Sequence, residues 1–349
     1  TYASFDLMGL IAVIGISYNL TKSYGDVAPL PAALVAMCGF FLTIPFSMHK
    51  DGTFWIPLDQ LGSTGLFIAI IIGLFLTDLY VWMVHKKITI KMPASVPPAV
   101  SDSFTALFPG FFCLLLVWVI RMGVSFTPIE TIPNLMQFIF KPLSVVGTSL
   151  PGALICEFLV SFLWIFGIHG ANVVSGVMTA IWLAAMQQNA VAFAAHKALP
   201  NIVTQQFFDN FVHIGGSGAT LGLAIMMIMF AKSDEYKTLA KLEIAPAFFN
   251  INEPLVFGFP VVMNPFIAVP FIVAPLLNVL ITYFAMASGI VAKTIGIMVP
   301  WTTPAIISGY LATGHISGAV LQVVLIAVDS LVYVYFFKKA DKRKVQAQM

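Results

Sequence analysis

The chain has 349 residues, of which 59% are hydrophobic and 9% charged, with a formal net charge of +2. A soluble domain needs about a quarter of its residues charged to cover its surface, so this composition excludes a soluble enzyme and implies an outside that largely faces lipid. No basic stripe is present, which excludes a nucleic-acid partner.

Charge-free runs make the same case locally. No Asp, Glu, Lys or Arg occurs in 158–196, 254–292 or 294–328. A helix crosses the hydrocarbon core in about 20 residues, so each run holds more than one pass, or a pass plus a hairpin inside the membrane. In chain order the apolar stretches predict spans at 5–20, 30–48, 61–84 and 104–122. The chain starts at Thr1 inside a hydrophobic stretch and shows no signal-peptide pattern. It therefore reads as lacking a first span, and any count of spans is a minimum. Residues 94–103, with Pro97 and Pro98, read as a linker. Residues 127–142 alternate apolar and polar residues around Glu130, Asn134, Gln137 and Lys141, which suits an amphipathic helix at the interface. Further spans follow at 143–166, 212–231, 265–287 and 316–337.

Sidedness follows from the basic residues. Lys86, Lys87 and Lys91 follow one span, Lys232, Lys237 and Lys241 lie in a mixed-charge loop, and Lys338, Lys339, Lys342, Arg343 and Lys344 follow the last span. These clusters place all three segments, and the C-terminus, in the cytoplasm.

Two segments resist being drawn as simple helices. Residues 166–188 begin FGIHGANVVSG, with three glycines around His169 and Asn172. Residues 250–264 read NINEPLVFGFPVVMN, and prolines recur at 254, 260, 265, 270 and 275. Proline removes a backbone donor and breaks an interior helical turn. Non-helical backbone at membrane depth is tolerated only when buried in protein or lining a watery cavity. Both segments therefore predict re-entrant hairpins around a polar site, a recurring transporter solution.

Within these segments Glu253 stands out. It opens the run 254–292 and sits in Asn252-Glu253-Pro254. A carboxylate in or near hydrocarbon is costly and marks function by default; the alternative is an interfacial Glu at a helix end, helped by the amphipathic stretch 234–244. A carboxylate accepts hydrogen bonds from sugar hydroxyls and can take a proton from one. His169, between Gly167 and Gly170, is set where glycines let a ligand or another backbone approach. A lone His on an apolar face is otherwise a packing residue. His213 precedes Gly215-Gly216-Ser217-Gly218, a run with no preceding strand and no following Lys-Ser/Thr, so it reads as a tight entry into a span and not as a nucleotide site. Trp301, between Pro300 and Thr302-Thr303-Pro304, offers a flat apolar face for a pyranose ring, and Gln187, Gln188 and Asn189 add amides. The other tryptophans default to membrane interfaces. Cys38, Cys113 and Cys156 sit in apolar stretches as small buried hydrophobes. The sequence contains no metal-ligand cluster and no Ser-His-Asp set, and it calls for no cofactor.

Residues 248–265, FFNINEPLVFGFPVVMNP, together with 164–176, WIFGIHGANVVSG, and 299–314, VPWTTPAIISGYLATG, resemble the membrane (IIC) subunit of the bacterial phosphoenolpyruvate-dependent sugar phosphotransferase system, in its lactose/cellobiose/diacetylchitobiose branch. The resemblance runs over essentially the whole chain. It implies an all-α integral membrane protein with about ten transmembrane helices when complete plus two re-entrant hairpins, located in the bacterial inner membrane as a homodimer. Residues 1–124 would form the dimerisation domain, 125–142 an amphipathic linker, and 143–349 the substrate domain that moves a β-linked disaccharide, diacetylchitobiose or cellobiose. It implies a IIB partner, charged by IIA, that is phosphorylated on cysteine and phosphorylates the sugar 6-hydroxyl. It places the catalytic Glu and His on Glu253 and His169, and sugar contacts on these two and on Gly170, Asn172, Trp164, Gln187, Asn252 and Trp301. Other readings are a proton–sugar symporter with Glu253 as proton carrier, a membrane receptor, and, more remotely, a membrane-embedded hydrolase. A symporter delivers free sugar, whereas group translocation delivers sugar phosphate.

Overall fold

The computed structural model describes residues 7–48, 51–62, 65–90, 98–259 and 261–348. Among the described residues the regular structure is helical, apart from one two-stranded ribbon in which Ser47–Met48 pairs antiparallel with Phe54–Trp55. The chain divides into two compact units, Thr1–Pro142 and Leu143–Met349.

The first unit is built on α1 (Met8–Tyr24), α2 (Pro29–Thr43), α3 (Leu66–His85) and α4 (Pro98–Ser125). Gly25, at φ +82°, ends α1 in the left-handed conformation that glycine adopts without strain, and Pro29 opens α2 where a missing N–H costs nothing. Val13, Ala36, Phe40, Ile44, Ile68 and Ala69 form one core cluster; Leu76, Tyr80, Val81, Cys113 and Val117 belong to a second. Between α1 and α3 the buried Thr77 hydroxyl donates to Ser17 Oγ at 2.6 Å, which satisfies both in an apolar setting. Two expectations change here. The apolar stretch 30–48 is helical only to Thr43, because the ribbon begins at Ser47. The segment expected as a linker at 94–103 is already α4 from Pro98, a residue that is favourable at a helix start; its positions 94–97, like Lys91, His49 and Pro260, lie outside the described residues.

Helix α5 (Ile132–Gly147) carries the boundary between the units. The second unit then runs through α6 (Leu150–Ile165), α7 (Gly170–Ala194), α8 (Gln205–Phe207) continued by a π-helical turn at Phe208–Val212, α9 (Leu221–Phe230), α10 (Asp234–Phe248), α11 (Glu253–Gly258), α12 (Pro265–Ala287), α13 (Ile307–Thr313) and α14 (Ile316–Gln348). Side-chain caps set several starts. Ser149 Oγ accepts the Gly152 N–H at 3.2 Å, and Asn264 Oδ1 accepts the Phe266 N–H at 3.2 Å.

Among the described residues, five helical stretches are long and apolar enough to cross a bilayer: Leu66–His85, Phe104–Ser125, Gly170–Ala194, Pro265–Ala287 and Ile316–Gln346. A sixth is counted if α5 and α6 form one broken span. The segment 166–188, expected to be a hairpin, is instead the regular helix α7 after a short break. Its glycines act at the start, where a Cβ on Gly170 would meet the Val160 carbonyl. The stretch 212–231, expected as a full span, is helical only from Leu221, because Gly215, Gly216 and Gly218 all take positive φ ahead of it.

Among the described residues, the longer irregular stretches of this unit lie at 195–204, 213–220 and 288–306. Side-chain amides satisfy them, as buried backbone requires. Gln206 Oε1 accepts the Val299 N–H at 3.1 Å. Gln322, on α14, accepts from the Ile306 and Gly309 amides at 2.5 and 2.8 Å and donates to the Asn210 carbonyl at 2.5 Å. Asn189 donates to the Asn201 and Thr294 carbonyls at 2.9 and 2.8 Å.

Candidate functional site: a polar cavity in the second unit

A cavity of about 460 Å³ opens in the second unit. This lies within the range of small-ligand sites, roughly 300–1,000 Å³. Helix α7 supplies one wall. His169, Asn172, Ser175, Thr179 and Trp182 recur every three or four residues and so share one face. The glycine loop supplies Gly216 and Ser217, the following irregular segment supplies Asn250, Asn252 and Glu253, and the 300–303 turn supplies Trp301.

His169 precedes α7 and caps it, since its Nδ1 accepts the Asn172 N–H at 3.3 Å. A ring nitrogen that accepts cannot carry the proton, so the neutral imidazole is the Nε2–H tautomer and Nε2 is the atom left to donate. Trp164, 3% exposed, packs on this imidazole with ring centroids 4.6 Å apart.

Glu253 is the first residue of α11, exposed to the cavity. Its position depends on two asparagines that precede it. Asn250 accepts the Gly215 N–H at 2.7 Å and donates to the Trp301 and Thr303 carbonyls at 2.5 and 3.3 Å. Asn252 donates to the Ser217 carbonyl at 2.6 Å and to Thr220 Oγ1 at 2.9 Å. The two amides thus tie the Glu253 segment to the glycine loop and the Trp301 turn. Gly216 must be glycine, since a Cβ there would sit 2.6 Å from the Asn252 amide carbon at φ +92°. Behind this segment, Glu243 of α10 is 0% exposed and neither carboxylate oxygen has a hydrogen-bond partner among the described residues. Burial pushes its carboxyl up to about 8, and the charge of Glu253 adds to the shift. The Leu255 amide opposes the shift only from outside hydrogen-bonding geometry, being committed to the Asn252 carbonyl at 3.0 Å.

Of the sequence-predicted residues, the cavity collects Glu253, His169, Asn172, Asn252 and Trp301. Trp164, Gly170 and Gln187 do not line it. Trp164 backs His169, and Gly170 serves the close approach of α7 to α6. The neighbouring amides are structural: Gln188 accepts from Asn201 Nδ2 at 2.9 Å, and Asn189 is buried in the backbone network. Trp182, assigned by default to a membrane interface, instead lies in the cavity wall, stacked on Phe208 at 4.0 Å.

Sequence reasoning missed Asn250, Asp209 and Glu157. Asn250 and Asp209 line the cavity directly; Glu157 reaches His213, which does, through a 2.6 Å contact. Glu157 carried a usable signal, as the sole charge in the apolar stretch 143–166. Among the described residues, no group of three His, Cys, Asp or Glu side chains is arranged to hold a metal.

A helical protein with several helices long and apolar enough to cross a membrane, and an interior cavity lined by amides, two carboxylates, two imidazoles and two indoles, suits a membrane permease for a polar ligand. A family model described as "Phosphotransferase system, EIIC" matches residues 1–275, and the chain belongs to that family. It is 47% identical over 357 residues to the lichenan permease IIC component of Bacillus subtilis (strain 168), covering 99% of this chain and 79% of that one. It is 45% identical over 358 residues to a cellobiose-specific EIIC component of Geobacillus stearothermophilus, covering 98% and 78%. The crystal structure of ChbC, the IIC component of the N,N'-diacetylchitobiose-specific phosphotransferase system, superposes with a TM-score of 0.94 at 45% identity, covering 99% of this chain and 83% of that one.

Proposed function

We propose that this chain binds a β-linked disaccharide, cellobiose or diacetylchitobiose, moves it inward across the bacterial inner membrane, and presents its 6-hydroxyl to a phosphorylated IIB partner charged by IIA. The observation that carries this reading is the cavity that brings Glu253 and His169 together with Asn172, Asn252 and Trp301. The relatives whose printed names specify lichenan, cellobiose and N,N'-diacetylchitobiose support the substrate class. A relative named as a lactose-specific EIICB component, of which this chain spans 60%, supports a B partner.

In this reading Trp301 stacks on a pyranose ring and the amides bind its hydroxyls. The 6-hydroxyl oxygen attacks phosphorus of the partner's phosphocysteine. The new P–O bond forms as the P–S bond breaks, the thiolate leaves with the bonding pair, and the hydroxyl proton passes to the Glu253 carboxylate. His169 Nε2–H donates to the transferring phosphoryl group, where positioning and charge stabilisation carry most of the rate. The first unit forms the contact between two copies, the second carries the sugar, and the basic C-terminal end faces the cytoplasm.

Full-length protein in vesicles with IIB, IIA, the general phosphorelay proteins and phosphoenolpyruvate should accumulate phosphorylated cellobiose or diacetylchitobiose. Glu253→Gln should abolish this and leave sugar binding in place. Free sugar accumulating on a proton gradient without phosphoenolpyruvate would overturn the reading in favour of a symporter.

A further inference from the structure

The last turns of α14 fix the start of α10. Asp341 of α14, 4% exposed, accepts hydrogen bonds from the junction between α9 and α10. The Lys232 N–H donates to Oδ2 at 2.9 Å, and the Ser233 N–H and hydroxyl donate to Oδ1 at 2.9 and 2.7 Å. A buried carboxylate is costly unless it is hydrogen-bonded, and hydrogen bonds to a carboxylate are among the stronger ones. Ser233 is also the N-cap of α10. Its Oγ accepts the Tyr236 N–H at 3.4 Å, and Asp234 and Glu235 in the first turn suit the positive end of the helix. One side chain of α14 therefore holds the residue that starts α10, across 108 positions of sequence.

Helix α10 carries that constraint to the Glu253 segment. Tyr236, Leu239 and Glu243 follow one another at helical spacing and lie on its buried face. The Tyr236 ring meets Phe259 at 5.2 Å and Phe337 of α14 at 6.3 Å between centroids, and Phe259 meets Phe337 at 6.4 Å. Tyr236 is 2% exposed and both phenylalanines are 0% exposed. Phe337 precedes Asp341 by one helical turn, so ring and carboxylate stand on the same face of α14. Phe259 directly follows α11, and its N–H donates to the Leu255 carbonyl at 2.7 Å. Beside it, a Cβ on Gly258 would come within 2.6 Å of Leu239 Cδ1, so α11 rests closely on α10. Helix α11 has six residues, a rise of about 9 Å. The rings that hold its last turn therefore set the direction of its first residue, Glu253. Asn250 and Asn252 anchor the entry of this segment, and the three rings anchor its exit.

We propose that Asp341 is a positioning residue for the phosphoryl transfer, acting through Ser233, α10 and the Tyr236–Phe259–Phe337 cluster on the orientation of α11 and hence of the Glu253 carboxylate. This rests on the reading that Glu253 takes the proton of the sugar hydroxyl. Asp341 does not line the cavity and touches no substrate. Sugar affinity is carried by Asn172, Asn252 and Trp301, and the last two are held by hydrogen bonds to the glycine loop and to Asn250, which the Asp341 contact does not enter. A base displaced by a fraction of an ångström still leaves the sugar bound but loses alignment with the hydroxyl, so the chemical step suffers first.

The test uses the full-length protein, with equilibrium binding of labelled cellobiose and phosphorylation kinetics in the reconstituted system at varied IIB concentration. Asp341→Asn puts an amide donor against the donors at the junction and should lower kcat about tenfold, with the cellobiose Kd, the binding stoichiometry and the KM for IIB each within about twofold. That is the pattern of a contribution made only in the transition state. Ser233→Ala should lower kcat by a smaller factor, and adding it to Asp341→Asn should cost less than the product of the two single losses, because the residues share one contact. A cellobiose affinity that falls in step with kcat, a rate restored by saturating IIB, or an unchanged kcat in Asp341→Asn overturns the proposal. Should Asp341→Asn lose binding stoichiometry through misfolding, Ser233→Ala and Phe337→Leu decide by the same split between kcat and Kd. Glu253→Gln, measured in parallel, separates the two readings. Normal phosphorylation there sinks the proposed function and this proposal with it; an inactive Glu253→Gln beside a normal Asp341→Asn sinks this proposal alone.

Discussion

Replacing Asn250 probes the joint on which the site depends. The residue is 8% exposed and sits at φ +60°. Its amide is shared among the Gly215 N–H and the Trp301 and Thr303 carbonyls. In Asn250→Ala the Gly215 amide loses its buried acceptor, costing about 1–3 kcal/mol, and each carbonyl loses a donor at about 0.5–1 kcal/mol. Alanine in a left-handed conformation adds about 1 kcal/mol, which asparagine largely avoids. The total is about 4 kcal/mol, or roughly 10 °C of melting temperature for a unit of this size. Asn250→Gly removes the same hydrogen bonds without the conformational strain and should lie about 1 kcal/mol above the alanine variant. Tryptophan-fluorescence melting of the purified protein in detergent reads the stability, and cellobiose binding reads the site. Both variants should lose sugar affinity, because the Trp301 turn is freed from the Glu253 segment. An alanine variant that melts within about 2 °C of the parent, under 1 kcal/mol, and binds cellobiose normally would refute the role of this joint.

Gln322→Leu should be destabilising by about 4 kcal/mol in the same melt, since it leaves the Ile306 and Gly309 amides and the Asn210 carbonyl without their buried partner; unchanged melting would show that water replaces it. Gly218→Ala should cost about 2 kcal/mol or more, because φ is +82° and a Cβ would enter the Phe271 ring. Phe271→Ala in the same chain should relieve the clash but not the conformational strain, so the double variant should fall short of the sum of the single losses. Glu243 provides a pH test. Its folded pKa is raised from 4.5 to about 8, so the folded chain holds a proton that the unfolded chain releases, and stability should fall as pH rises from about 4.5 to about 8. Glu243→Gln should flatten that part of the melting-temperature profile; an unaltered slope would assign it to other groups.

Hydropathy and charge are properties of local sequence, and they determined the membrane class, most of the spans and the polar character of the second half. Glu253 and His169 could be singled out as candidates in the same way, because a carboxylate beside a long apolar run and an imidazole between glycines are exceptional wherever the chain folds, and both line the cavity. Irregular backbone was expected but partly misplaced. The glycines at 167 and 170 only start α7, whereas the longer breaks lie at 195–204, 213–220 and 288–306, where side-chain amides satisfy the backbone. Which face of a helix looks into a cavity is set by what packs against its other faces, and that is a long-range matter. Tertiary structure therefore leaves Gln187 and Asn189 out of the cavity lining and brings Trp182 into it. It alone joined Asn250 to Gly215 and Trp301, and Glu157 to His213 across 56 positions of sequence, because a hydrogen bond depends on spatial proximity that neither residue type nor spacing records.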